Sequence, residues 1–152
     1  MMRGTHAAVG LASGYLLAHL QHDPLILTLV VATVTEIAAL LPDIDLKIGL
    51  KHRGVTHSLL ALALIVGAAW YVDHRLALPI GIGYSSHLIL DMLTIWGIPV
   101  LWPVQKRFRL AKFSTGGLFD RLLAIAASCG AILAIYSMVQ VTVAGGALSR
   151  GF

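Results

Sequence analysis

"TVTEIAALLPDIDLKIGLKHRGVTHSLLALALIVGAAW" fills residues 33–70 and joins two aliphatic runs through a short connection dense in ionisable groups. Between Pro42 and His57 stand two aspartates, two histidines, two lysines and an arginine, whereas Glu36 is the only charge in either flank. Runs of this kind are helices buried in an apolar phase. Pro42 disfavours continuation of the first helix at Leu41, so the connection begins there.

Composition extends this reading to the whole chain. Of 152 residues, 58% are hydrophobic and only 12% charged, with a mean hydropathy of +0.86; a soluble domain is nearer ~25% charged. Five apolar stretches, roughly 6–20, 25–41, 57–72, 76–96 and 118–143, are separated by "QHDP", "LPDID", "DHR" and "GIP…WP". A spanning helix needs ~20 apolar residues, with a range of ~17–25; the fourth and fifth stretches meet this, while the first and third are short. No alternation of polar and apolar residues supports a β-barrel. The fold class expected is therefore all-α, a polytopic membrane helix bundle of about five helices, four to five of them spanning, forming one domain over 1–152. The N-terminal "MMRGTHAAVG" reads as the start of a retained first helix rather than a cleaved leader. Cys129 is the single cysteine, which excludes an intrachain disulfide and the cysteine-based zinc motifs.

Basic residues set the orientation. With five spans, Arg3, Lys47, Lys51, Arg53, Lys106, Arg107, Arg109, Lys112 and Arg121 share one side, and only Arg75 and Arg150 lie on the other. The N-terminus is accordingly expected in the cytoplasm. The run "QKRFRLAK" reads as a lipid-headgroup patch, with no nucleic-acid partner expected, and Trp96 and Trp102 as interface anchors.

On that map His6, Asp43, Asp45, His52, His57, His87 and Asp91 reach one end of the bundle from four separate segments. His87 and Asp91, four apart, share a helix face. If the fourth helix continues to Trp96, Asp91 lies about 7 Å and His87 about 13 Å from its end. Each element alone has a simpler reading: a structural His–Asp hydrogen bond, a helix stop at "PDID", a turn at Gly54. Ionisable groups in a membrane cost ~2.5–3.5 kcal/mol each, and a divalent cation held by carboxylates and neutral imidazoles offsets that cost. Their convergence points to a metal site. His19, His22 and His74 fall on the opposite side and are not expected to be ligands. Glu36 has no assigned role, being equally suited to metal, a proton, Arg3 or Lys51. Gly81 and Gly83 would allow close helix packing, within the chain or in a homo-oligomer.

"THAAVG", "LPDID", "HRGVTHSLL" and "GYSSHLILDMLTIWGIPVLWP" followed by "RFRL" resemble the YdjM-type family of bacterial inner-membrane-associated, metal-dependent hydrolases. The resemblance runs from Thr5 to about Leu110. It implies a membrane-bound hydrolase in the bacterial inner membrane that uses divalent metal, with His6, Asp43, Asp45, His52, His57, His87 and Asp91 at the family's polar positions. It does not settle the substrate.

The donor set is nitrogen and oxygen without thiolate, which suits Zn²⁺, Mn²⁺ or Fe²⁺ better than an oxygen-only Mg²⁺ or Ca²⁺ cage. His6, Asp43, Asp45, His57, His87 and Asp91 are the expected ligands of one ion or of two ions ~3.5–4 Å apart. His52 is expected to protonate a leaving oxygen, and Arg53, with Arg107 or Arg109, to hold a phosphate. On this assignment Arg53→Ala impairs turnover but leaves metal content intact. A basic site at the cytoplasmic membrane face favours a phosphoester or phosphodiester of a phospholipid or polyprenyl-phosphate lipid. The alternative class is a metal-binding or metal-transporting membrane protein without catalysis; a structural subunit would leave the cluster without purpose. Acyl ester or amide hydrolysis finds no Gly-x-Ser-x-Gly or His-Glu-x-x-His motif.

Overall fold

The computed structural model describes residues 1–49 and 51–148, with side chains described through 142; Arg150, counted above on the far side, lies outside them. Five α-helices follow in order: α1 (Arg3–Leu20), α2 (Leu25–Leu40), α3 (Leu59–Val72), α4 (His74–Met92) and α5 (Leu118–Leu148). Two 3₁₀ turns, Leu41–Leu46 and Val55–His57, flank the charged connection. No strand forms among the described residues. The all-helical expectation is met.

Several boundaries differ from those read in the sequence, each for a local reason. At Pro42 the chain tightens into a 3₁₀ turn instead of leaving helical geometry altogether. α3 starts after His57 because Ser58 caps it, its hydroxyl accepting from the Ala61 N–H at 3.2 Å. α4 stops at Met92, four residues before Trp96. There the Thr94 hydroxyl donates to the Asp91 carbonyl at 2.8 Å, while the N–H groups of Leu110 and Phe113 donate to the carbonyls of Met92 and Leu93 at 2.8 and 3.0 Å. The basic connection thus folds back on the helix end and takes over carbonyls that a longer helix would satisfy. Asp91 consequently sits in the last turn of α4.

α1, α2 and α4 form the centre of the bundle, with α5 lying along α1 and α3 along α4. Small residues let the central backbones touch. A Cβ on Gly10 would stand 2.6 Å from the Ala39 Cβ, and one on Gly83 would collide with the Thr35 carbonyl. Gly83 therefore serves packing within the chain.

Polarity is distributed inside out. Thr5, His6, Asp43, Asp45, Arg53, His57, His87, Asp91, Thr94 and Asp120 are buried, whereas Leu64, Tyr71, Leu118 and Leu133 are exposed. Among the described residues, two segments are long and apolar enough to cross a membrane: Leu25–Leu46, which includes the 3₁₀ turn, and Leu118–Thr142. α3 is apolar but shorter.

A candidate metal centre at one end of the bundle

The 3₁₀ turn after α2 delivers Asp43 and Asp45, the second 3₁₀ turn delivers His57, and the last turns of α4 deliver His87 and Asp91. His6 comes from the first turn of α1. His87 is oriented from behind: its Nδ1 lies 2.7 Å from the Ala39 carbonyl, which can only accept, so the proton is on Nδ1 and the Nε2 lone pair faces the cluster.

His57 is held in the same sense. Its Nδ1 is 3.0 Å from the Thr56 hydroxyl and 3.4 Å from Asp45 Oδ2, while Thr56 donates to that same carboxylate at 2.9 Å. These partners place the His57 proton on Nδ1. Burial pushes its imidazole pKa down to about 4, against the opposing pull of Asp91 and Asp45, so the ring is neutral at physiological pH.

Two Nε2 lone pairs are thereby brought within 3.2 Å of each other with no proton between them. Asp43 Oδ1 stands 3.8 Å from the His57 nitrogen and 3.6 Å from that of His87. Asp91 Oδ2 stands 3.6 and 3.8 Å from the same two atoms. Four electron-rich atoms from three elements thus gather together, and of these Asp91 Oδ2 also faces the Arg53 guanidinium at 3.0 Å. Donors bound to one tetrahedral ion at ~2.0–2.2 Å lie about 3.3–3.6 Å apart, and the separations here run from 3.2 to 3.8 Å.

Asp91 also faces the other way. Its Oδ1 is 3.4 Å from His6 Nε2 and meets the Met1 amine. The His6 ring stacks on His87 with centroids 3.7 Å apart, and its Nδ1 is buried without a hydrogen-bond partner. A second set of donors, His6, His87 and Asp91, adjoins a set made of Asp43, His52 and His57, the atoms of each lying within 4.8 Å of one another. Asp91 presents one oxygen toward each side, and the Arg53 guanidinium reaches both at 3.0 Å.

The two loop aspartates do not share one role. Asp43 points at the Nε2 side of the histidines. Asp45 lies behind His57, where it accepts from the Arg53 N–H at 3.1 Å and from Thr56, and pairs with His52 Nδ1 at 3.1 Å. Arg53, with a φ of +57°, turns its guanidinium inward: Nη2 donates to Asp91 Oδ1 at 3.0 Å, Nε lies 3.0 Å from Asp91 Oδ2 as an ion pair, and Nη1 donates to Thr94 at 2.8 Å. Three of its nitrogens are engaged inside the protein.

His52 is half-exposed and lines, with Arg53, Trp96 and Arg107, a cleft of about 360 Å³ beside the cluster. Arg109 lies further out, donating to the Ile95 carbonyl at 3.2 Å and sharing a second cleft with Trp96 and Arg107. His19, His22 and His74 are exposed at the other end of the helices. Glu36 is half-buried, and no ion pair joins it to Arg3 or Lys51 among the described residues.

The family model for the YdjM inner membrane protein matches residues 1–150. The chain belongs to the YdjM family. It is 41% identical to the inner membrane protein YdjM of Escherichia coli (strain K12) over 66 residues, 39% of this chain and 34% of that protein. The Shigella flexneri YdjM gives the same values. The chain thus spans about a third of the length of these two relatives. An uncharacterized protein of Bacillus subtilis (strain 168), YvsG, is 33% identical over 148 residues, 82% of this chain and 90% of that one. No solved structure matches. Membership in the YdjM family gives the chain an inner-membrane location.

Within this YdjM-family site, sequence reasoning missed Thr56, Thr94 and Asp120. Asp120 begins α5 and accepts from the N–H groups of Gly116 and Met2 at 2.7 and 3.0 Å and from the Thr5 hydroxyl. It fastens the α1 turn that carries His6. An acid in the first turn of a long helix is a common N-terminal feature, and nothing nearby in sequence points to Thr5.

Proposed function

We propose that this protein is a membrane-embedded, metal-dependent hydrolase that cleaves a phosphoester or phosphodiester of a lipid at the cytoplasmic face of the membrane. The observation that carries the reading is the convergence of His57 Nε2, His87 Nε2, Asp43 Oδ1 and Asp91 Oδ2, two neutral imidazoles and two carboxylates aimed at one point. These four residues would hold one divalent ion, and His6 stands beside them as a further nitrogen donor. Zn²⁺ or Mn²⁺ suits the nitrogen–oxygen mixture. A divalent ion there supplies Lewis acidity and lowers the pKa of water toward neutrality.

The remaining chemistry belongs to the chain. Asp45 and Thr56 keep the His57 proton on Nδ1, and the Ala39 carbonyl does the same for His87. Arg53 fixes both oxygens of Asp91. His52 and Arg107, on the wall of the basic cleft, are placed to meet an anionic headgroup, with His52 the proton donor to the leaving oxygen. The topology that goes with this reading has four to five spans, with the N-terminus, the charged connection and the basic connection in the cytoplasm.

Release of inorganic phosphate or of a phosphorylated headgroup from phospholipids and polyprenyl phosphates by detergent-purified protein tests it. Release that needs Zn²⁺ or Mn²⁺, stops with chelator and is absent in Asp91→Asn is expected. Metal-loaded, folded protein inert toward all of them would leave a metal-binding membrane protein without catalysis.

A further inference from the structure

α3 leaves the metal centre just after His57 and α4 returns to it at His87 and Asp91, with only Asp73 between the two helices. Between them runs a groove of about 670 Å³ whose lining is almost wholly apolar. Leu59 and Ser85 stand at the end beside the site, and Trp70 and Leu78 at the far end. Its floor exists because Ala63 and Gly81 are small: a Cβ on Gly81 would meet only the Val66 side chain, at 3.5 Å. We propose that this groove holds one hydrocarbon chain of the lipid whose headgroup enters the basic cleft, a lipid of the leaflet on the site's side. The inference rests on the lipid reading above and adds where the tail is recognised.

Two observations select this occupant. From Leu59 to Trp70 the groove is about 16 Å long at ~1.5 Å per helical residue, close to half of a ~30 Å hydrocarbon core, so one leaflet's chain fills it from end to end. The polar cleft lies at the same end. The groove's Leu59 end follows His57 by two residues, and Arg53 and Arg107 line the cleft beside the cluster, where an anionic headgroup would sit, whereas Asp73 and Arg75 stand together at the far end.

The test uses the full chain in phosphatidylcholine vesicles containing phosphatidylglycerol with a diazirine in one acyl chain. After irradiation, mass spectrometry maps the labelled residues. Labelling concentrated on Leu62, Val66 and Ile82, several-fold above Leu122, Ile125 and Leu133 on the outer face of α5, is expected. It should fall to the α5 level in Gly81→Leu, and in Ala63→Leu should the first variant misfold, and should persist in Asp91→Asn. Equal labelling of both surfaces, or labelling of the groove indifferent to both fillings, overturns the proposal. Lipid hydrolysis with evenly spread label would overturn the groove alone; groove labelling without hydrolysis would overturn only the catalytic reading.

Discussion

At the scale of single residues, the division between groups that face the cluster centre and groups that steer them leads to graded effects. His57→Ala and His87→Ala each remove an Nε2 donor and are expected to abolish stoichiometric metal. Thr56→Val and Arg53→Ala remove partners behind the donors, and such losses cost about 10–100-fold in metal affinity or activity. Competition with a fluorescent chelator measures this; Arg53→Ala with undiminished metal affinity would restore the purely substrate-binding role. The sequence alone separated these roles poorly. Asp43 and Asp45 are two apart in a turn, and only the 3₁₀ geometry sends one to Nε2 and the other to Nδ1 of His57. Arg53 looked free because nothing in "KHRGVTH" reveals that its left-handed backbone turns the guanidinium onto Asp91, 38 residues away.

At the scale of elements, the site depends on how closely α4 approaches α2. Gly83 lies one turn before His87 and two before Asp91, and its Cα faces the Thr35 carbonyl at backbone contact. Gly83→Ala forces the helices apart, and overpacking of this kind typically costs about 1–3 kcal/mol. A lower midpoint of thermal unfolding in detergent together with weakened metal binding is expected, while Gly81→Ala, which faces the groove, should leave both unchanged. Equal tolerance of the two alanines would contradict the packing described. The helices themselves were legible from apolar runs and breakers. The end of α4 was not, because its carbonyls are satisfied by Leu110 and Phe113 across the basic connection, a tertiary pairing that no local signal announces.

At the scale of the whole molecule, the same residues that make a site make some helices poor membrane segments by composition. α1 and α4, of 18 and 19 residues, are about 27–29 Å long at ~1.5 Å per residue, near a bilayer's ~30 Å hydrocarbon core. They carry His6, His87 and Asp91 inward, and this lowers their apolarity, so among the described residues only Leu25–Leu46 and Leu118–Thr142 are long and apolar enough to cross a membrane. The topology is tested by labelling single cysteines in a Cys129→Ala background with a membrane-impermeant maleimide in intact cells. Protection of Lys47→Cys and Lys106→Cys with reaction of His74→Cys is expected; the reverse pattern would place the site outside. The central claim is the metal centre, and elemental analysis tests it most directly. Detergent-purified wild type, resupplied with Zn²⁺ or Mn²⁺, should retain one or two equivalents, the count set by the two neighbouring donor groups, His6–His87–Asp91 and Asp43–His52–His57. His87→Ala and Asp91→Ala should lose them, while His19→Ala should not. Folded wild-type protein that retains no metal under these conditions would contradict the account and reduce the cluster to a buried polar network.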